Sequence, residues 1–164
     1  MNEITFEQFA DYTCKALLDS FKDISAFKSI FPATPEHLLK QEIAALELFE
    51  MLIAFNSYYK NNPNGIKIFN ITVDKYKHAL VELKIFTDNS SCNKFIETRL
   101  MAYKDILEKN QDKNSLSQLS FKMTDFFGGK DISQSVVIMT IYVDMVKANI
   151  NFIQDIDTKV TLKE

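Results

Sequence analysis

The sequence predicts an all-α fold, a five- or six-helix bundle forming one domain over residues 1–164, with a long, largely buried C-terminal helix at its centre. Three observations carry this. Glycine and proline number only three each in 164 residues, and strand-and-turn folds consume both at their turns. Apolar residues recur at helical spacing along most of the chain. Several of these runs open on a helix-capping signal. The composition, 46% hydrophobic and 25% charged, is that of an ordinary globular domain able to bury a core of its own.

The first helix opens where Thr5 and Gln8 form a capping box, with Ile4 and Phe9 placed as a hydrophobic staple. Phe6, Phe9, Ala10, Thr13, Ala16, Leu17 and Phe21 then hold helical spacing. A bend is expected between Lys22 and Ser25, after which Ile24, Phe27, Ile30 and Phe31 continue the pattern to Pro32. For the second helix Thr34 is the expected cap, Pro35 the first helical residue, and Glu36 the acid at the positive end. Leu39, Ile43, Leu46, Phe49 or Glu50, and Ile53 trace one face, widened by Leu38, Ala45, Leu48, Leu52 and Phe55. Glu42, Glu47 and Glu50 are scattered around the cylinder by their spacing, so they are expected to form a solvated face.

The asparagine-rich stretch from Lys60 to Gly65 reads as a loop. The segment from Ile66 to Val73 alternates like a strand but has no evident strand partner, so a packed connector is expected. A third helix is expected to start at Thr72 or Asp74 and to carry Val73, Tyr76, Leu80 and Leu83. A fourth presents Phe95 or Ile96, then Leu100, Tyr103 and Leu107, and a fifth presents Leu116, Leu119, Met123 and Phe126. Gly128 and Gly129 supply a left-handed stop.

The last helix starts at a second capping box, Asp131 with Gln134. Its first half, rich in Val, Ile and Met, raises the question of a membrane span. Asp144 and Lys147 fall in the middle of the apolar run, and each charge near a bilayer centre costs on the order of 3 kcal/mol. A span is therefore not expected. Thr140, Asp144, Lys147, Asn151, Gln154 and Thr158 step by alternate fours and threes, which is one polar stripe on a helix otherwise apolar all round. Asn149 lies about 160° from that stripe, in the column of Tyr142 two turns earlier. An amide there needs hydrogen-bond partners.

Chemical signatures are scarce. His37 and His78 are the only imidazoles, and Asp74 with His78 makes two potential ligands, too few for a metal site. Cys14 and Cys92 sit at apolar-periodic positions and read as small hydrophobes. No phosphate loop, nucleophile elbow or zinc-peptidase motif is present. No catalytic residue, metal ligand or cofactor is assigned. A net charge of −3 with Arg99 as the one arginine disfavours nucleic acid.

These features predict a non-enzymatic protein, cytoplasmic by default and of bacterial type, acting through protein–protein contacts, with self-pairing as a homodimer one form of them. The alternative is a small-ligand-binding helical domain with an interhelical pocket lined by Tyr142, Met145 and Asn149. A metal-dependent enzyme would require carboxylates converging from distant helices. Tyr58 with Tyr59, and Phe126 with Phe127, close two helices as adjacent aromatic pairs. One of each pair is a candidate for a partner surface, unless both pack beneath the loops.

Overall fold

Every side chain from Glu42 to Met51 is buried. That run belongs to the second expected helix, which is therefore the one surrounded by neighbours. The structure, a computed structural model, describes residues 2–19, 24–60, 62–109 and 115–163. In chain order the elements are β1 (Asn2–Thr5), α1 (Phe6–Asp19), α2 (Ser25–Ile30), α3 (Glu36–Tyr59), α4 (Pro63–Glu82), α5 (Asn89–Lys109), α6 (Ser115–Phe126), α7 (Ile132–Lys159) and β2 (Val160–Lys163). The all-α class holds, with seven helices among the described residues in place of five or six.

Two apolar clusters explain the burial of α3. Leu39, Ile43, Leu46 and Phe49 feed one, with Phe31, Tyr103, Met123, Phe127 and Ile138. Ala44, Leu48, Met51 and Phe55 feed the other, with Phe9, Ile68, Tyr76, Leu80 and Ile96. A helix between two cores has no face left for water. The expectation that the C-terminal helix lies buried at the centre is corrected accordingly. On α7 only Ser135, Ile138, Tyr142, Asn149 and Ile153 are buried. Its apolar circumference turns outward instead, with Ile132, Val136 and Val137 exposed.

Local signals account for most helix ends. Gln8 Oε1 accepts the Thr5 backbone N–H at 2.9 Å and Thr5 Oγ1 accepts that of Gln8 at 3.2 Å, the expected capping box. The box at Asp131 and Gln134 also forms. Gly128 sits at φ +75°, the left-handed stop after α6. At α3, Thr34 does not cap. Its hydroxyl donates to the Phe127 carbonyl at 2.6 Å, pinning the α6–α7 turn, while Pro35 takes the cap position.

The expected connector at 66–73 is helical. Asn62 accepts the Asn64 N–H, Pro63 occupies the first turn, and Ile68, Thr72, Tyr76 and Leu80 form one buried i,i+4 column. The column outweighs the local alternation. The expected bend lies largely outside the described residues, as does Phe21, and α1 and α2 are separate helices on either side of it. The two terminal strands pair in parallel, Asn2 opposite Val160 through Thr5 opposite Lys163. Four residues each are too few to leave a readable pattern.

Helix α7 runs parallel to α3. Gln134 at its start donates to the Ile30 carbonyl at 2.7 Å, Tyr142 stacks on Phe49, and Asp157 near its end accepts from Tyr58 and Tyr59. Its other long contact is with α6.

Candidate interaction surface and the buried acids behind it

Half of the ten exposed large apolar side chains among the described residues lie on α6 and α7: Leu116, Phe121, Ile132, Val136 and Val137. Leu116, Phe121, Ile132, Val136 and Met139 line a groove of about 350 Å³ between the two helices. The rest of its lining is Ser117, Ser120, Ser135 and Thr140, so no charged residue touches it. On α7 the first charge after the cap is Asp144. Ile132 is 69% exposed and Val136 61%, an apolar ridge standing in water beside an apolar groove. Scattered exposed apolar residues are ordinary, whereas a contiguous uncharged patch marks a contact surface.

A second groove, about 380 Å³, lies between α1 and the end of α7. Its floor of Ala16, Phe152, Ile156 and Val160 is apolar, but Lys15, Asp19, Asp155 and Lys159 ring it. Charges of both signs let its rim stay solvated in the isolated chain.

The central helix α3 carries buried acids. The expectation of a solvated face for Glu42, Glu47 and Glu50 is overturned, since all three are buried. Each addresses a different neighbour. Glu42 accepts a forked pair of hydrogen bonds from Arg99 of α5. Burial pushes its carboxyl up, with Arg99 pulling the other way. Glu47 accepts from the Tyr76 hydroxyl of α4 at 2.8 Å. Glu50 has Glu47 as its charged neighbour, and its own charge reaches Tyr142 of α7 and, more weakly than that of Glu42, Tyr103 of α5. Burial first, and the Glu47 charge second, hold its carboxyl well above the usual carboxylate range. A helix enclosed on all sides has no solvated face for these acids to occupy, which spacing on α3 alone could not reveal.

The residues singled out in the sequence divide among these places. Tyr142 and Asn149 share the inward face of α7, and Met145 is partly buried. Tyr58 and Tyr59 are both partly buried and both donate to Asp157, at 3.0 and 2.9 Å. They lock the end of α3 to the end of α7. Phe127 is fully buried, stacked on Phe27 and Phe31. Phe126 is partly buried under the Arg99 guanidinium, 3.8 Å from its ring centre. None of these aromatics lines the α6–α7 groove. The groove residues were visible in the sequence as apolar excess on α7, but the neighbour that completes the groove was not.

His78 is exposed and lies 3.3 Å from Glu82, one turn on, while it shares a surface pocket with Asp74 one turn back. Among the described residues no three His, Cys, Asp or Glu side chains gather as a metal shell would require. Cys14 and Cys92 are both buried and unpaired with each other, and burial pushes both thiols up. By length and composition alone, α7 is the one described helix apolar enough to cross a membrane, with a mean hydropathy of 1.5 over its best stretch. Comparison with protein-family models, with characterised proteins and with solved structures finds no match to this chain.

Proposed function

We propose that this protein works through protein–protein contacts and that a second copy of the chain occupies its α6–α7 groove. The uncharged, ridged surface there carries the reading. In a two-fold interface the same patch meets itself, so any net charge on it repels its own copy. This patch has none to repel. The ridge of Ile132 and Val136 matches in character the groove of Leu116, Phe121 and Met139, so each copy can fill the other. The hydroxyls of Ser120, Ser135 and Thr140 already donate to backbone carbonyls of their own helices, so covering the groove strands none of these donors. A net charge of −3 elsewhere keeps the rest of the surface from associating unspecifically.

Cross-linking tests the placement. Val136→Cys near a two-fold axis is expected to give a covalent dimer with a short bis-maleimide, because Cys14 and Cys92 are buried and slow to react. A cysteine placed at exposed Met101 on α5 is the control and is expected to give none. Equal yields at both sites overturn the reading. Flotation with lipid vesicles by a chain that stays monomeric assigns the face to a membrane instead.

A further inference from the structure

We propose that the groove between α1 and the end of α7 binds an amphipathic monocarboxylate, a small acid with an apolar chain or ring and one negative charge. The proposal goes beyond self-association through the α6–α7 face and does not depend on it. Each wall of the groove is one helical stripe with the spacing i, i+3, i+4 and i+7. Tyr12, Lys15, Ala16 and Asp19 make the α1 wall. Phe152, Asp155, Ile156 and Lys159 make the α7 wall, and Val160 closes it where β2 begins. The two stripes run in the same order: an aromatic, a charge, an apolar residue and a charge of the other sign.

Packing leaves this space open. Helix α1 lies along α4, and α7 lies along α3 and α6. Phe9 and Leu17 of α1 and Ile153 of α7 point into one core, and the two stripes stand beside them. Ala16, Phe152, Ile156 and Val160 are half-buried, while Tyr12 is 51% exposed. The result is an apolar floor under a polar rim, in a space of about 380 Å³. That is the size and lining of a small-molecule cleft.

The rim selects the charge of the guest. Lys159 is already paired with Asp155 on its own helix. Asp19 is engaged as well. Lys15 makes no ion pair among the described residues, and the Tyr12 hydroxyl has no hydrogen-bond partner among them. These two are neighbours on one wall, three residues apart. The groove therefore presents one unspent cation beside one neutral donor, which suits the two oxygens of a carboxylate. A cationic guest would have to take Asp155 from Lys159. A dianion would bring a second negative charge against Asp19 and Asp155.

Octanoate and 3-phenylpropanoate, a chain and a ring with the same head, test the proposal in backbone amide NMR of the full chain. Saturable shifts are expected around Ala16 and Ile156 with at least one of them, and none around Phe121 and Val136. Ala16→Trp fills the floor and is expected to abolish the shifts. Lys15→Met, at an exposed position, leaves the fold intact and is expected to weaken binding about three- to fivefold, as for the loss of one solvent-exposed ion pair. Asp155→Asn frees Lys159 and is expected to tighten binding. Octylammonium, with the chain of octanoate and the opposite charge, is expected to give no saturable shifts in the groove. No saturation by either acid, an octylammonium affinity equal to that of octanoate, an unchanged affinity in Lys15→Met, or shifts centred on the α6–α7 face overturns the proposal.

Discussion

Arg99 grips Glu42 with both prongs of its guanidinium, Nε at 2.8 Å from one carboxylate oxygen and a terminal nitrogen at 2.6 Å from the other. It is the one arginine in the chain. Its plane also covers Phe126 of α6 at 3.8 Å and Phe95 of α5 at 4.6 Å. One side chain thus ties the central helix to two of its neighbours. A lysine has neither the fork nor the plane for this.

Arg99→Ala leaves the buried Glu42 carboxyl without its partner and is expected to cost about 3–5 kcal/mol, the usual penalty for stranding one half of a buried pair. Arg99→Lys is expected to recover less than half. Urea unfolding followed by circular dichroism measures both. A loss under about 1 kcal/mol for Arg99→Ala would show that the pair is no better than a surface bridge.

Glu50 gives stability a pH slope with a definite sign. Its carboxyl is held above the usual range in the folded chain. Below about pH 4.3, the ordinary glutamate value, folded and unfolded states are both protonated and the stability is fully present. As pH rises, the unfolded chain ionises first, and stability falls by up to about 1.4 kcal/mol per pH unit until the folded carboxyl also releases its proton. Glu50→Gln removes that slope. The variant is expected to match the parent near pH 4 and to exceed it by roughly 1–3 kcal/mol at pH 7. A difference that does not vary with pH contradicts the assignment.

Tyr58 and Tyr59 share Asp157 and fasten the last turns of α3 and α7 together. Burial, with the Asp157 hydrogen bond second, pushes both phenols up, so both remain donors across the ordinary pH range. Tyr59→Phe is expected to cost about 1.5–3 kcal/mol, as for a hydrogen bond to a charged acceptor. Asp157→Ala is expected to open both bonds and speed amide hydrogen exchange in the last two turns of α7, leaving the α6–α7 end unchanged. Exchange that rises equally at both ends would contradict this local role.

Gly65 is the close approach between α3 and α4. A Cβ there would lie 2.5 Å from the Tyr59 side chain. Gly65→Ala is expected to destabilise by about 1–3 kcal/mol through overpacking, although alanine is the better helix former. A gain in Tm would mean that Tyr59 can move aside.

Helix class and helix starts were legible where the information is local. Thr5 with Gln8 and Asp131 with Gln134 are contacts three residues apart, and both form as read. Central position was not legible, because it depends on how many neighbours a helix acquires. The hydrophobic run of α7 looked like a core and became surface, while three glutamates on α3 looked like surface and became core. Thr34 failed as a cap for the same kind of reason, since its hydroxyl found the distant Phe127 carbonyl. Asn149 was picked out by its angle on one helix, and its burial follows that angle.

Sedimentation equilibrium of the parent chain and Val136→Glu tests the central claim most directly. Val136 is 61% exposed, so a glutamate there has room and water in the isolated chain and should leave the helical circular dichroism unchanged. In a two-fold contact it would set carboxylate against carboxylate within an apolar seam. The parent is expected to sediment as a dimer at micromolar concentration and the variant as a folded monomer. A parent that stays monomeric at hundreds of micromolar, or a dimer that Val136→Glu leaves intact, would contradict self-association through the α6–α7 face.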